Sequence, residues 1–213
     1  MKKIISLLLL VICLFACKDE QKEKTLDTEN KIESTDDNQE KEAEKKNNNY
    51  QTSSVVKPVN IDLTEEVENF IICKKAATER NDCRNSISKT ITEVFEVTEF
   101  KDQKSGYVIY DSIRPIAERS KNWLQLGTVT QQTIDQALEH TNRGGLALII
   151  DTSETYGHVV VVVPGESKKS GSWGMKLPNV LSLSNYKPEK SFSNKSLSYA
   201  MRKSDDLKVF VRQ

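Results

Sequence analysis

Five consecutive valines, Val159 to Val163, constrain this chain more than any other stretch. Gly157-His158 precedes them and Pro164-Gly165 closes them. A short, continuous, β-branched run of this kind reads as a buried strand. A strand so apolar belongs at the centre of a sheet. His158, one of two histidines, opens the run and so falls at the end of that sheet, where a side chain can face a cleft. The rest of the chain has to supply the sheet, and a partner if the histidine is to be used.

The N-terminal third supplies neither. Met1-Lys2-Lys3 is a short positive start, and Ile4 to Ala16 is almost wholly apolar. That core is shorter than the roughly 20 residues a helix needs to cross a bilayer, and it suits a signal peptide over residues 1–16. It ends in Leu14-Phe15-Ala16-Cys17, which resembles the bacterial lipobox. The resemblance implies cleavage before Cys17 and lipidation of Cys17, and hence a membrane partner through that anchor. Several acyl chains anchor stably where one does not. Lys18-Asp19-Glu20 resembles the acidic export signal that sends some lipoproteins to the cell surface; it reads equally well as the solvated start of a linker. Residues 17–59 are Lys, Glu, Asp, Asn, Gln, Ser and Thr with almost nothing apolar. Such a segment cannot bury enough surface to offset its ordering entropy, so a disordered linker is expected. The expected location is the cell envelope, at the outer membrane, on its periplasmic or surface face.

Residues 60–213 carry the periodic patterns of one domain. A helix is expected from Asp62 or Thr64, with Val67, Phe70 and Ile71 on one face. A second is marked by Ile87, Ile91, Val94 and Phe95, with Asn81 or Asp82 as cap and Cys83 in the first turn. Ser112 to Ser120 and Gln131 to His140 read as further helices, the latter capped by Thr130 and ended by Gly144-Gly145. Trp123 to Gly127 reads as an apolar connection. Strands are expected at Leu146 to Ile150, Val159 to Val163, Ser172 to Leu177 and Leu207 to Val211, with Pro178-Asn179 as a break and Asn185 to Lys195 irregular. Helices followed by an antiparallel meander define an α+β fold.

Charge excludes one class of partner. Lysine plus arginine and aspartate plus glutamate each number 31, so the chain lacks the basic excess that nucleic-acid binding requires. Neither His140 nor His158 has partners at metal-ligand spacing, and no cofactor or metal is expected. His140 suits a helix C-terminus as a cap.

Of four cysteines, two fall in the N-terminal targeting segment and only Cys73 and Cys83 belong to the domain. A thiol in the first turn of a helix meets the positive end of the dipole and unpaired N–H groups, which favour the nucleophilic thiolate and can hold an oxyanion. Cys83 then needs a base. His158 is the better placed histidine, and the separation, 158 − 83 = 75 residues, leaves their meeting to the fold.

At this point the chain resembles the papain-like NlpC and CHAP-type peptidoglycan hydrolases. The residues that carry the resemblance are Asn81-Asp82-Cys83 opening a helix, Gly144-Gly145 leading Leu146 to Ile150, and Gly157-His158 leading the valines. Ser170 to Gly174, Leu177-Pro178-Asn179 and Leu197 to Ala200 are similar to a subset of cell-wall amidase domains. The likeness spans roughly residues 64–213. It implies a papain-like architecture, peptidoglycan as partner, and hydrolysis of an amide in the stem peptide or next to muramic acid through a Cys83–His158 thioester mechanism. It also implies a third, orienting residue on the strand after the histidine, for which Asn179, Ser172 and Ser170 are candidates. Asp82 and Trp173 would contact substrate. Arg84-Asn85-Ser86 departs from the Ser-Gly pair usual after the family's cysteine.

Blander readings remain. Cys73 and Cys83, ten residues apart, can close a disulfide in an exported domain, which removes the nucleophile; Cys73 also reads as a buried apolar residue of its helix. His158 can be a structural histidine at a strand end. Trp123 reads as core, and Trp173 as either cleft wall or core. The competing functions are therefore an inactive module that binds cell wall or a partner protein, and an amidase effector exported against neighbouring cells.

Overall fold

The computed structural model describes residues 62–213. The expected signal peptide, Cys17 and the linker lie outside the described residues, as do residues 60 and 61. No described helix is long and apolar enough to cross a membrane.

The elements in chain order are α1 (Thr64–Lys75), α2 (Ser86–Phe95), β1 (Lys101–Asp102), β2 (Gly106–Tyr107), α3 (Ile113–Arg119), β3 (Trp123–Thr128), α4 (Gln131–Asn142), β4 (Ala147–Asp151), β5 (Val159–Val162), β6 (Lys168–Ser170), β7 (Met175–Leu177), β8 (Asn179–Ser182), β9 (Phe192–Ser196), α5 (Leu197–Ala200) and β10 (Leu207–Arg212). Six strands form one sheet in the order β3-β10-β4-β5-β8-β9, and every pairing is antiparallel. The fold is α+β, with the valine strand inside its sheet.

The sheet is covered on both faces, which is why its central strands read as unbroken apolar runs. Val159, Val161 and Val163 join Leu148, Ile150 and Leu181 in a core with α1, α2 and α3. Val160 and Val162 join Ala147, Ile149 and Val180 in a second core with α4 and α5. Side chains alternate between the faces of a strand, so each valine in turn serves one core or the other.

Local chemistry explains most helix limits. Asp62 accepts a hydrogen bond from the Thr64 N–H at 2.9 Å ahead of α1, whose first turn carries Glu65 and Glu66 and whose last carries Lys74 and Lys75. Thr130 and Thr133 cap α4 reciprocally, with Thr130 Oγ1 accepting from the Thr133 N–H at 3.2 Å. Glu96 ends α2 in the left-handed conformation, φ 54°.

Four expectations are corrected. Trp123 to Gly127 is no connection: it is edge strand β3, paired with β10, and Leu126 is the extra residue of a bulge where the register shifts. Gly127 (φ 119°) supplies the backbone conformation that bulge requires. Ser172 to Leu177 is not the strand beside the valines. Only Met175–Leu177 is extended, in a separate two-stranded hairpin with β6. The neighbour of β5 is instead β8, starting at Asn179, because Pro178 at a strand's threshold removes no ladder bond. Within the supposedly irregular stretch, Phe192–Ser196 pairs with β8 as the other edge.

Candidate functional site

Helix α2 begins at Ser86, so Cys83 lies before it rather than in its first turn. Cys83 adopts φ 61°, a left-handed conformation that costs a non-glycine residue about 1 kcal/mol and takes it out of the helical path. The turn is tied down on each side. Asn81 Oδ1 accepts from the Cys83 N–H at 3.3 Å, Lys74 Nζ donates to the Asp82 carbonyl at 2.9 Å, and the Cys83 carbonyl accepts from the Ser86 N–H at 3.2 Å. Cys83 is bonded to Cys73 of α1 in a disulfide and is 1% exposed. A disulfide sulfur is neither thiol nor thiolate, so in this form Cys83 has no nucleophile to offer.

Sheet geometry separates the expected pair further. Cys83 packs in the core shared with Val159 and Val161. His158, by strand alternation, shares the face of Val160. Ser182 stands opposite Val160 across the β5–β8 ladder, and its Oγ lies 2.8 Å from His158 Nε2. The histidine's partner is therefore Ser182. Burial pushes the His158 imidazole down to about 4, against an opposing pull from the Asp151 carboxylate, so the ring is neutral at neutral pH.

His158 and Ser182 line a cleft of about 260 Å³ at the head of β5. Ile87 and Val159 reach it from one side of the sheet, Phe192 and Ala200 from the other, so the cleft wraps the strand ends. Tyr156, Tyr186 and Tyr199 also line it and are 60%, 87% and 75% exposed. Ser184, Asn185 and Lys190 complete its polar lining. Burial first, and then the neighbouring Tyr186 hydroxyl, hold Tyr110 above its ordinary pKa. Cys83 is not among the residues that line this cleft.

The remaining expected site residues lie elsewhere. Asn179 is at the far end of β8, opposite the end of the valine run; its carbonyl accepts from the Val163 N–H at 2.9 Å and its amide donates to Asn194 at 2.7 Å. Val163 is five residues along the strand from His158, or roughly 16 Å. Ser172 shares a hydrogen bond with Ser170 at 3.2 Å in the β6–β7 hairpin. Trp173 is 5% exposed and packs in the core of the α4 face, so it is no cleft wall. Asp82 pairs with Arg84 and accepts its backbone N–H at 3.1 Å, which spends the carboxylate on the turn before α2. His140 is on the last turn of α4, but its ring is buried against Gly145 instead of capping in solvent, and burial lowers its pKa.

A second concavity, about 530 Å³, lies between α1 and α2 and is bordered by Cys73. Its carboxylates are already engaged: Glu66 accepts from Thr90 at 2.7 Å and Glu93 from Tyr107 at 2.6 Å. Among the described residues, no three His, Cys, Asp or Glu side chains converge to hold a metal ion.

Sequence reasoning missed Ser182 and the tyrosines. Ser182 had a signal, since it is the one polar residue in Val180-Leu181-Ser182-Leu183. The tyrosines come from three separate loops and helices, so only the fold gathers them.

The class these features define is an α+β domain with a histidine–serine pair in an aromatic-rimmed cleft. No protein-family model matches the chain. No curated protein is significantly similar to it.

Proposed function

We propose that this chain is a lipid-anchored protein of the cell envelope whose papain-like domain binds peptidoglycan without cutting it. The cleft carries this reading. It offers a concave surface with aromatic rims and a few convergent polar groups, the usual chemistry of a ligand site. What supports binding over cleavage is the state of Cys83, which is disulfide-bonded, buried and outside the cleft. Thioester formation needs a free thiolate beside the scissile carbonyl.

The test mixes the whole chain with soluble peptidoglycan fragments and follows heat of binding and release of amino groups together. Binding without new amino groups is expected, with affinity reduced by Tyr186→Ala. Release of amino groups by the wild type but not by Cys83→Ala would overturn the non-hydrolytic reading.

A hydrolytic second reading rests on one observation: Ser182, on the strand paired with β5, holds a neutral His158, as an orienting residue holds a catalytic base. It requires Cys83 to leave its disulfide and reach the other face of the sheet. Cleavage that begins only after a thiol reductant is added, and is abolished by Cys83→Ala, would establish it.

A further inference from the structure

Four large apolar or aromatic side chains stand exposed among the described residues. Ile72 is on α1. The other three, Tyr156, Tyr186 and Tyr199, all line the cleft beside His158. Exposed aromatic surface gathered at one place marks an interaction site. Tyrosine suits one that is partly wet, because each ring has an apolar face and a hydroxyl at its tip.

The polar lining narrows the ligand. Lys190 is the one charged residue among the cleft's lining, and no carboxylate lines it. Asn185 Oδ1 is buried without a hydrogen-bond partner, which is costly until a ligand donates to it. Ser182 and Ser184 add hydroxyls to those of the tyrosines. Aromatic faces, hydroxyls, an amide acceptor and one ammonium together match a sugar ring that carries a carboxylate. An extended peptide is a poorer match. An extended peptide held by its main chain pairs with a free strand edge. The strand that carries Ser182, β8, has no free edge, since β5 and β9 flank it, and the Ser184 N–H is taken by Ser191 Oγ at 2.9 Å; the edge strand β9 reaches the cleft only with its first residue, Phe192.

We propose that the cleft recognises an acidic pyranose. The C–H faces of the sugar lie against the tyrosine rings, its carboxylate pairs with Lys190 Nζ, and a hydroxyl or amide N–H of the sugar donates to Asn185 Oδ1. This rests on the peptidoglycan-binding reading and assigns to the cleft the glycan, at sugars whose lactyl carboxyl is free because the stem peptide has been removed.

Titration calorimetry of the whole chain with three probes tests it: an oligosaccharide of amino sugars that bear a lactyl carboxylate, the same compound with the carboxylate reduced to an alcohol, and a free stem tetrapeptide. The acidic sugar is expected to bind, its reduced form about tenfold more weakly, and the tetrapeptide not to compete. Lys190→Gln should erase the difference between the two sugars, and Tyr199→Ala should weaken both. Lys190 lies on an exposed turn, so its substitution leaves the core intact. If the tetrapeptide binds as tightly as the acidic sugar, or Lys190→Gln changes nothing, the inference falls while peptidoglycan binding stands. If no probe binds, both fall.

Discussion

His158 makes the stability of this domain depend on pH. Its imidazole titrates near 6.5 when free and at about 4 in the fold, where burial outweighs the pull of Asp151. The unfolded chain therefore binds the extra proton first. The contribution of the neutral ring is complete above about pH 6.5 and is lost as pH falls through 4, a cost on the order of 3 kcal/mol. Melting temperatures measured from pH 7.5 to 4 should fall steeply below 6.5, and His158→Gln should flatten that segment; an unchanged slope would show that another group governs it. Ser182 contributes at the same atom. Ser182→Ala leaves a ring nitrogen without its partner, and should lower stability by about 1–2 kcal/mol in urea titrations. It should also move the imidazole resonances in the proton spectrum, which a merely distant packing change would leave alone.

Two close approaches tie elements together. Gly145, between α4 and β4, has no side chain, and a Cβ there would overlap the His140 ring. Gly145→Ala should cost about 1–3 kcal/mol. In a His140→Ala background the same substitution should cost far less, and a double-mutant cycle measures that coupling. An additive cycle would mean that the ring is not what excludes the methyl group. The Cys73–Cys83 disulfide joins α1 to the turn before α2 across a separation of ten residues. Closing a loop that short restricts the unfolded chain by about 2–3 kcal/mol. The Cys73→Ala/Cys83→Ala double variant should lose about that much in denaturant titrations with the cleft still folded, since neither residue belongs to the set of cleft-lining side chains that includes His158 and Ser182.

At the scale of the whole molecule, the sheet is held together by β10, which lies between β3 and β4. Its end is tied by Arg212, whose Nε donates to Glu99 at 2.9 Å. Deleting residues 207–213 should leave a chain without cooperative melting or dispersed amide signals. The periodic helices and the valine strand were legible because each has one repeating face, or none, to satisfy. Less legible was anything decided by pairing. β3 and β9 are edges with mixed lining, and only their partners make them strands. The start of α2 was hidden by the left-handed turn at Cys83, which a helix-cap pattern does not encode. The site was half legible: His158 sits at the mouth of a cleft, but which face it serves depends on strand parity. That parity gives it Ser182 and leaves Cys83 in the opposite core.

The position of β10 also sets an order of events. As a chain is released from its N-terminal end, β4, β5, β8 and β9 become available before the strand that bonds β4 on one side and β3 on the other. Until Leu207 to Arg212 emerges, β3 has no ladder, and the open side of β4 has no partner for its N–H and C=O groups. The domain is therefore held back from completion until the last residues of the sheet are made.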